Sequence, residues 1–225
     1  MQKISPTPQI TETVYESLRD AICDGVLQPD ERLIQDDIAE RLGVSRQPVH
    51  LALQQLRKEG FLVETGRRGL VVAPLDREFA MELYELRAAL DGAAATAAAR
   101  NASPKDRTRG QAIIRAGRNA IANGDLSAMV SADFAFHDFI YQLGGNRLIA
   151  DTAHMNWHHV RRTIMLLAGT PTRLGPFWDE HDQILQAVVD RDEQAAGDLA
   201  KGHAIASGAL LSKQDEGALP PSTPH

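Results

Sequence analysis

The stretch from Ile34 to Leu56 constrains this chain most, because several residue types fall there at the positions one supersecondary motif demands. Two helices that cross closely need a small residue at the crossing, and Ala39 is small. They need a sharp reversal, for which Gly43 can adopt a left-handed backbone. Val44 supplies an apolar plug for the wedge between the helices, and Ser45 is a good N-cap for the second one. Val49, Leu53 and Leu56 recur at helical spacing and can face one core. Pro48 falls in the first turn, where its missing N–H costs nothing. The pattern predicts helices over 35–42 and from Ser45 to Glu59, joined as a helix-turn-helix.

The flanks extend this into a domain. Val14, Leu18, Ala21 and Ile22 predict a helix from Thr11 to Asp24, capped by Thr11 and stopped by Gly25. Gln28-Pro29-Asp30 reads as a turn. After Gly60 the texture becomes β-like, in Phe61–Thr65 and again in Leu70–Ala73. Gly66-Arg67-Arg68-Gly69 lies between them as a basic turn, which makes a hairpin closed by Pro74. We therefore expect a flexible arm at 1–10 and a winged helix-turn-helix at 11–74. Beyond Asp76 only helical patterns remain, at about 76–101, 104–123, 125–143, 146–168, 177–190 and 192–211. The expected fold is mainly α, with an N-terminal winged helix-turn-helix and a C-terminal all-α bundle of about six helices over 76–211. Residues 212–225, with three prolines, read as a disordered tail.

Charge asks for a local reading. The net charge of -6 argues against a nucleic-acid partner. Yet residues 41–68 carry six basic and two acidic side chains, so the excess of positive charge falls on the motif itself. Ser45, Arg46, Gln47 and His50 lie at the exposed start of the second helix, the end that enters the major groove in such motifs. Arg46 can fork onto guanine and Gln47 onto adenine, while Ser45 and the helix N-terminus suit a phosphate. Arg67, Arg68 and Gly69 at the hairpin tip can reach the minor groove or the backbone. The lone Cys23 excludes an internal disulfide framework and fits a reducing cytoplasm. There is no long apolar run for a membrane span, and the polar N-terminus does not read as a signal peptide.

The helical half carries a second chemistry. Asp133 and His137 lie four apart, on one face of an expected helix, and His181 and His203 fall on later helices. One carboxylate and three imidazoles suit a divalent transition metal, zinc first, with nickel, iron or manganese as alternatives. Spacing alone leaves rivals, because His154 and His158 form another such pair. Arg87 could fork onto a carboxylate, and Trp157 and Arg161 could line a cavity. The same Asp/His set would serve a metal-dependent hydrolase or lyase. No Ser or Cys nucleophile motif, no phosphate loop and no second carboxylate in a clear general-base position accompanies it.

These residues together resemble the GntR family of bacterial regulators. The resemblance rests on Leu33-Ile34, Ala39 through Val49, Ala52-Leu53, Leu56, Glu59-Gly60-Phe61 and the basic hairpin. The helical remainder resembles the ligand-sensing domain of the FadR-type (FCD) branch, and its six helices resemble the shorter VanR-like subgroup. In that branch an Asp-x-x-x-His pair and two later histidines hold a metal, which the resemblance carries to Asp133, His137, His181 and His203. It likewise implies that Arg87 faces an effector pocket. It further implies a homodimer on a palindromic operator, acting as a repressor released by a small carboxylic acid. One departure stands out: His50-Leu51 replaces the usual Arg-Glu, so the base preference at His50 should differ, while Leu51 remains able to pack.

Overall fold

The computed structural model describes residues 7–66, 69–167 and 174–212. The chain divides into two compact units, between Leu75 and Asp76.

The N-terminal unit contains α1 (Thr7–Cys23), α2 (Gln35–Leu42), α3 (Arg46–Lys58), β1 (Leu62–Thr65) and β2 (Gly69–Val72). Helix α1 begins four residues before the expected start at Thr11, so residues 7–10 of the expected arm are helical. Pro8 permits this, because a first-turn residue has no intrahelical N–H bond to lose. Val14, Tyr15, Leu18, Ile22 and Cys23 of α1 and Val49, Ala52, Leu53 and Leu56 of α3 are buried in one core, which Phe61 and Leu62 close. Ala39 is buried where α2 meets α3, and Gly43 ends α2 in the left-handed region at φ 64°. Strands β1 and β2 pair antiparallel, Leu62 opposite Val72 and Thr65 opposite Gly69. The segment before α2 also pairs with β2. Leu33 N–H donates to the Leu70 carbonyl at 3.0 Å, and Val72 N–H to the Glu31 carbonyl at 2.9 Å. The hairpin is thus laced to the chain that leads into α2. That bridge has no sequence pattern of its own.

The C-terminal unit contains α4 (Arg77–Asn101), α5 (Pro104–Ala122), α6 (Leu126–Gly144), α7 (Arg147–Leu167), α8 (Gly175–Val189) and α9 (Glu193–Ser212). Helix α8 starts two residues before the expected position, with Pro176 in its first turn, where proline is tolerated. Local chemistry sets the other ends. Asp76 accepts from Glu78 N–H, Asp125 accepts from Ala128 N–H, and Ser103 N–H donates to Asp106 Oδ2 at 2.8 Å. The Ser103 bonds also hold the Asp106 carboxyl below its ordinary range.

Helix α4 is the centre of this unit and packs against α6, α7, α8 and α9. The C-terminal half of its inner face is alanine: Ala94, Ala95, Ala98 and Ala99 are buried. Small residues let helices approach closely. A Cβ on Gly92 would lie 3.3 Å from the Gly197 carbonyl of α9. On α5, Gly117 lies against the Trp178 indole of α8, where a Cβ would overlap the ring. This packing brings α4, α6, α8 and α9 together around one buried polar cluster. No described helix is long and apolar enough to cross a membrane. The expected tail lies outside the described residues, apart from Ser212, which ends α9.

Candidate DNA-reading face and candidate metal centre

On the N-terminal unit, the start of α3 presents Ser45, Arg46, Gln47 and His50 to solvent. Ser45 occupies the N-cap position with extended backbone, but its hydroxyl makes no cap hydrogen bond. The first amides of α3 are therefore not closed by a side-chain cap, which is the arrangement that receives a phosphate. Arg46 Nε lies 2.8 Å from Asp36 Oδ1, and the Gln35 side chain donates to the Arg46 carbonyl. His50 Nε2 meets Gln54 Nε2 at 2.9 Å, one turn along the same face. Leu51 does not pack as expected: it is 40% exposed, because its position on α3 faces away from the core lined by Val49 and Ala52. Gly69 begins β2 at φ 72°. Arg67 and Arg68 lie outside the described residues.

In the C-terminal unit, Asp133 and His137 from α6, His181 from α8 and His203 from α9 are all buried. Each offers a ligand atom, and these atoms lie within 4.8 Å of one another. His181 Nε2 is 3.1 Å from His203 Nε2 and 3.5 Å from Asp133 Oδ1. His137 Nε2 is 3.8 Å from Asp133 Oδ1.

The outer nitrogens explain the protonation. His203 Nδ1 lies 2.7 Å from Glu180 Oε2, and His137 Nδ1 lies 3.3 Å from Asp91 Oδ2. A carboxylate there favours a proton on Nδ1, which turns the lone pair on Nε2 inward. His137 Nε2 is buried and has no hydrogen-bond partner. Burial, with His203 and His137 beside it, holds the His181 imidazole well below its ordinary range. Burial likewise lowers His203, against the pull of Glu180. Three imidazoles and one carboxylate whose ligand atoms converge in the interior, with the His137 and His203 lone pairs turned inward, are the donor set of a cation site. The residues present therefore fit a divalent metal.

Arg87 of α4 borders the same cluster. Its Nη2 donates to Asp133 Oδ2 at 3.3 Å, and its Nε lies 3.4 Å from Asp91 Oδ2. Burial works against the Arg87 charge, and Asp133 and Asp91 outweigh it, so the guanidinium is held more firmly protonated than usual. Burial would raise the Asp91 carboxyl, but His137 and Arg87 hold it down at about 2. Tyr141 donates to Asp91. Two small cavities flank the cluster: Trp157, Phe134 and His154 line one, and Phe177, Trp178 and Ser207 line the other. Arg87 borders both.

The rival pair is not brought to this site. His154 Nε2 instead lies 2.7 Å from Asp138 Oδ1, and Trp157 packs on Phe134. Sequence reasoning missed Asp91, Glu180 and Tyr141. Two signals were available: Arg87 and Asp91 are four apart on α4, and Asp133, His137 and Tyr141 form a ladder at spacings of four on α6. Glu180 directly precedes His181 and carries no such signal.

Comparison with known proteins covers both units. A family profile described as "Bacterial regulatory proteins, gntR family" matches residues 10–72, and one described as "FCD domain" matches residues 82–206. The Nta operon transcriptional regulator of Aminobacter aminovorans is 30% identical, over 78% of this chain and 82% of its own length. The HTH-type transcriptional regulator YdhC of Bacillus subtilis (strain 168) is 27% identical, over 89% and 88%. Among solved structures, a GntR transcriptional regulator from Rhodococcus sp. RHA1 superposes with a TM-score of 0.76 at 27% identity, covering 89% of this chain and 96% of that one. Escherichia coli McbR/YncC superposes at 0.77 with 22% identity, over 94% and 99%, a likeness of fold.

Proposed function

Because this chain belongs to the GntR family of bacterial regulators and carries an FCD domain, we propose that its operator binding is controlled by a small organic acid at a metal-containing site in the C-terminal unit. The chain is an HTH-type, DNA-binding transcriptional regulator and not an enzyme, so the hydrolase or lyase reading of the same Asp/His set falls away.

Residues 11–74 are the DNA-binding domain in this reading, and residues 76–211 the sensing and dimerisation domain. Arg46, Gln47 and His50 read base edges in the major groove, Ser45 takes a phosphate, and Arg67, Arg68 and Gly69 reach the flanking groove. The target is a palindromic operator met by a homodimer, since a two-fold protein matches a two-fold site. The chain acts as a repressor in the cytoplasm, and its six described C-terminal helices fit the VanR-like subgroup.

The observation that carries the sensing half is the convergence of the Asp133, His137, His181 and His203 ligand atoms within 4.8 Å. These four side chains hold the ion, zinc before nickel, iron or manganese, while Asp91 and Glu180 orient His137 and His203. The bound ion supplies a Lewis-acidic position for a carboxylate oxygen. Arg87 is the partner for the effector's carboxylate, since it borders both flanking cavities and forms a planar fork. An effector changes DNA affinity only if it binds the two DNA-binding poses unequally.

The test is a thermal-shift screen of metal-loaded protein against mono-, di- and tricarboxylic acids and aromatic acids, repeated after chelation. A shift from one acid class that chelation abolishes supports the reading. No shift from any acid, and none from chelation, would sink the sensing half.

A further inference from the structure

The guanidinium assigned to base reading is already held before DNA arrives. Arg46 opens α3 and is 73% exposed, so by itself it would sample many rotamers and lose that freedom on docking. Two contacts from the first turn of α2 restrict it. Asp36 Oδ1 lies 2.8 Å from Arg46 Nε, and the Gln35 amide donates to the Arg46 carbonyl at 2.8 Å. One contact holds the side chain and the other holds the backbone beneath it.

Stability does not explain the ion pair. Asp36 is 57% exposed, and a pair this open to water contributes little to folding. Its geometry carries more information. Asp36 approaches Nε, the inner nitrogen of the guanidinium. Guanine is gripped at O6 and N7 by a two-pronged fork of N–H groups. With Nε committed to Asp36, the terminal pair Nη1 and Nη2 is the fork that remains for the base.

We propose that Asp36 is a positioning residue that sets base preference, fixing the Arg46 fork for guanine at the base pair Arg46 reads in each half-site. This inference rests on the base-reading role given to Arg46 above. Asp36 acts through Arg46 and touches no base itself. Its negative charge also repels phosphates, which lowers affinity for every sequence alike. The two effects have opposite signs: removing the carboxylate strengthens binding overall and weakens discrimination at one position.

The full chain is used to select duplexes from a synthetic pool with a randomised core. The tightest duplex is then varied one base pair at a time, giving a preference profile. Wild type, Asp36→Asn, Asp36→Glu, Asp37→Asn and Arg46→Ala are compared, together with the Asp36→Asn/Arg46→Ala double variant. In wild type we expect about ten-fold or greater discrimination at the Arg46 position, falling to about two-fold in Asp36→Asn. Overall affinity for that duplex pool is equal or higher in Asp36→Asn. Asp36→Glu retains part of the preference. Asp37→Asn removes the same charge from the same helical turn and leaves the profile unchanged. Arg46→Ala flattens the same base pair, and adding Asp36→Asn to it changes nothing further there.

If Arg46→Ala flattens one base pair in each half-site while Asp36→Asn keeps the wild-type profile, the positioning inference is overturned and base reading by Arg46 stands. If Arg46→Ala keeps the wild-type profile, or no duplex is selected at all, the base-reading role fails and the inference fails with it.

Discussion

In the N-terminal unit Arg46, on the proposed DNA-reading face, lies in water beside a carboxylate that water also reaches, whereas in the C-terminal unit Arg87 is sunk against two carboxylates. The Arg46 and Asp36 side chains are 73% and 57% exposed, while those of Arg87 and Asp133 are 8% and 12%. The same chemical pair therefore does two kinds of work. Outside, screening by water and salt leaves the pair little weight in folding. Inside, each charge needs the other, because an unpaired buried ion is costly. A DNA-reading face must give its charges away to phosphates, and a buried ligand site must keep its charges balanced until a ligand enters.

Removing one arginine from each unit should have the largest and most unequal effect. Arg87→Ala strands Asp133 and Asp91 in the interior and should cost about 3–5 kcal/mol in chemical denaturation. Arg46→Ala should change stability by no more than about 0.5 kcal/mol while weakening DNA binding. Equal stability costs for the two would contradict the contrast. The two units can unfold in separate transitions, so each is followed by its own probe.

Glycines give the next largest effect. Gly117→Ala drives a Cβ into the Trp178 indole and should cost about 1–3 kcal/mol through overpacking. Gly43 has open space around it and is special only in its φ of 64°. Gly43→Ala should cost about 1–2 kcal/mol, and Gly43→Asn should recover part of that, because asparagine tolerates the left-handed region. Gly117→Asn should be worse than Gly117→Ala. Thermal melts of the four variants separate crowding from backbone conformation.

Acid and alkali should distinguish the units next. In chelated protein, His181 is buried neutral, with its folded pKa well below the ordinary 6.5. It contributes stability above about pH 6.5 that is lost as the pH falls, because the unfolded chain takes up the proton. Asp91, held at about 2 against an ordinary 3.8, extends that loss at lower pH. Tyr15 in the N-terminal unit behaves oppositely. Burial and its 2.6 Å bond to Glu59 raise it from 10.0 to about 12. Its contribution is complete below about pH 10 and fades as the pH rises toward 12. Unfolding followed in each unit should show the C-terminal one failing first in acid. The reverse order would refute this assignment.

The smallest effect is expected at Arg57, whose Nη1 lies 2.8 Å from Glu64 on the surface of the N-terminal unit. Arg57→Ala should cost no more than about 1 kcal/mol in urea denaturation. A larger loss would mean that this pair braces the hairpin against α3.

The two units also differed in how far they could be read from sequence. The helix-turn-helix is local: Ala39, Gly43, Val44 and Val49 meet their partners within one or two turns, so spacing alone predicts α2 and α3. The candidate metal centre is assembled from α6, α8 and α9, and no periodicity links Asp133 to His203. Spacing left it beside the rival His154 pair, and a family resemblance chose between them. Glu180 was hidden for the same reason, because it is tied to a histidine on another helix, whereas the spacing of Asp91 from Arg87 showed their pairing and not the contact with His137. The lacing of Glu31 and Leu33 to β2 was hidden because it consists of backbone hydrogen bonds, which leave no side-chain signature. The start of α1 at Thr7, within the expected arm, left no signal because the apolar spacing that marks this helix begins only at Val14.

Calorimetric titration of the chelated full chain with zinc probes the buried Asp133, His137, His181 and His203 cluster. One ion should bind per chain, and none to a folded His181→Ala variant. No binding to wild type, or equal binding to the variant, would contradict a metal site there.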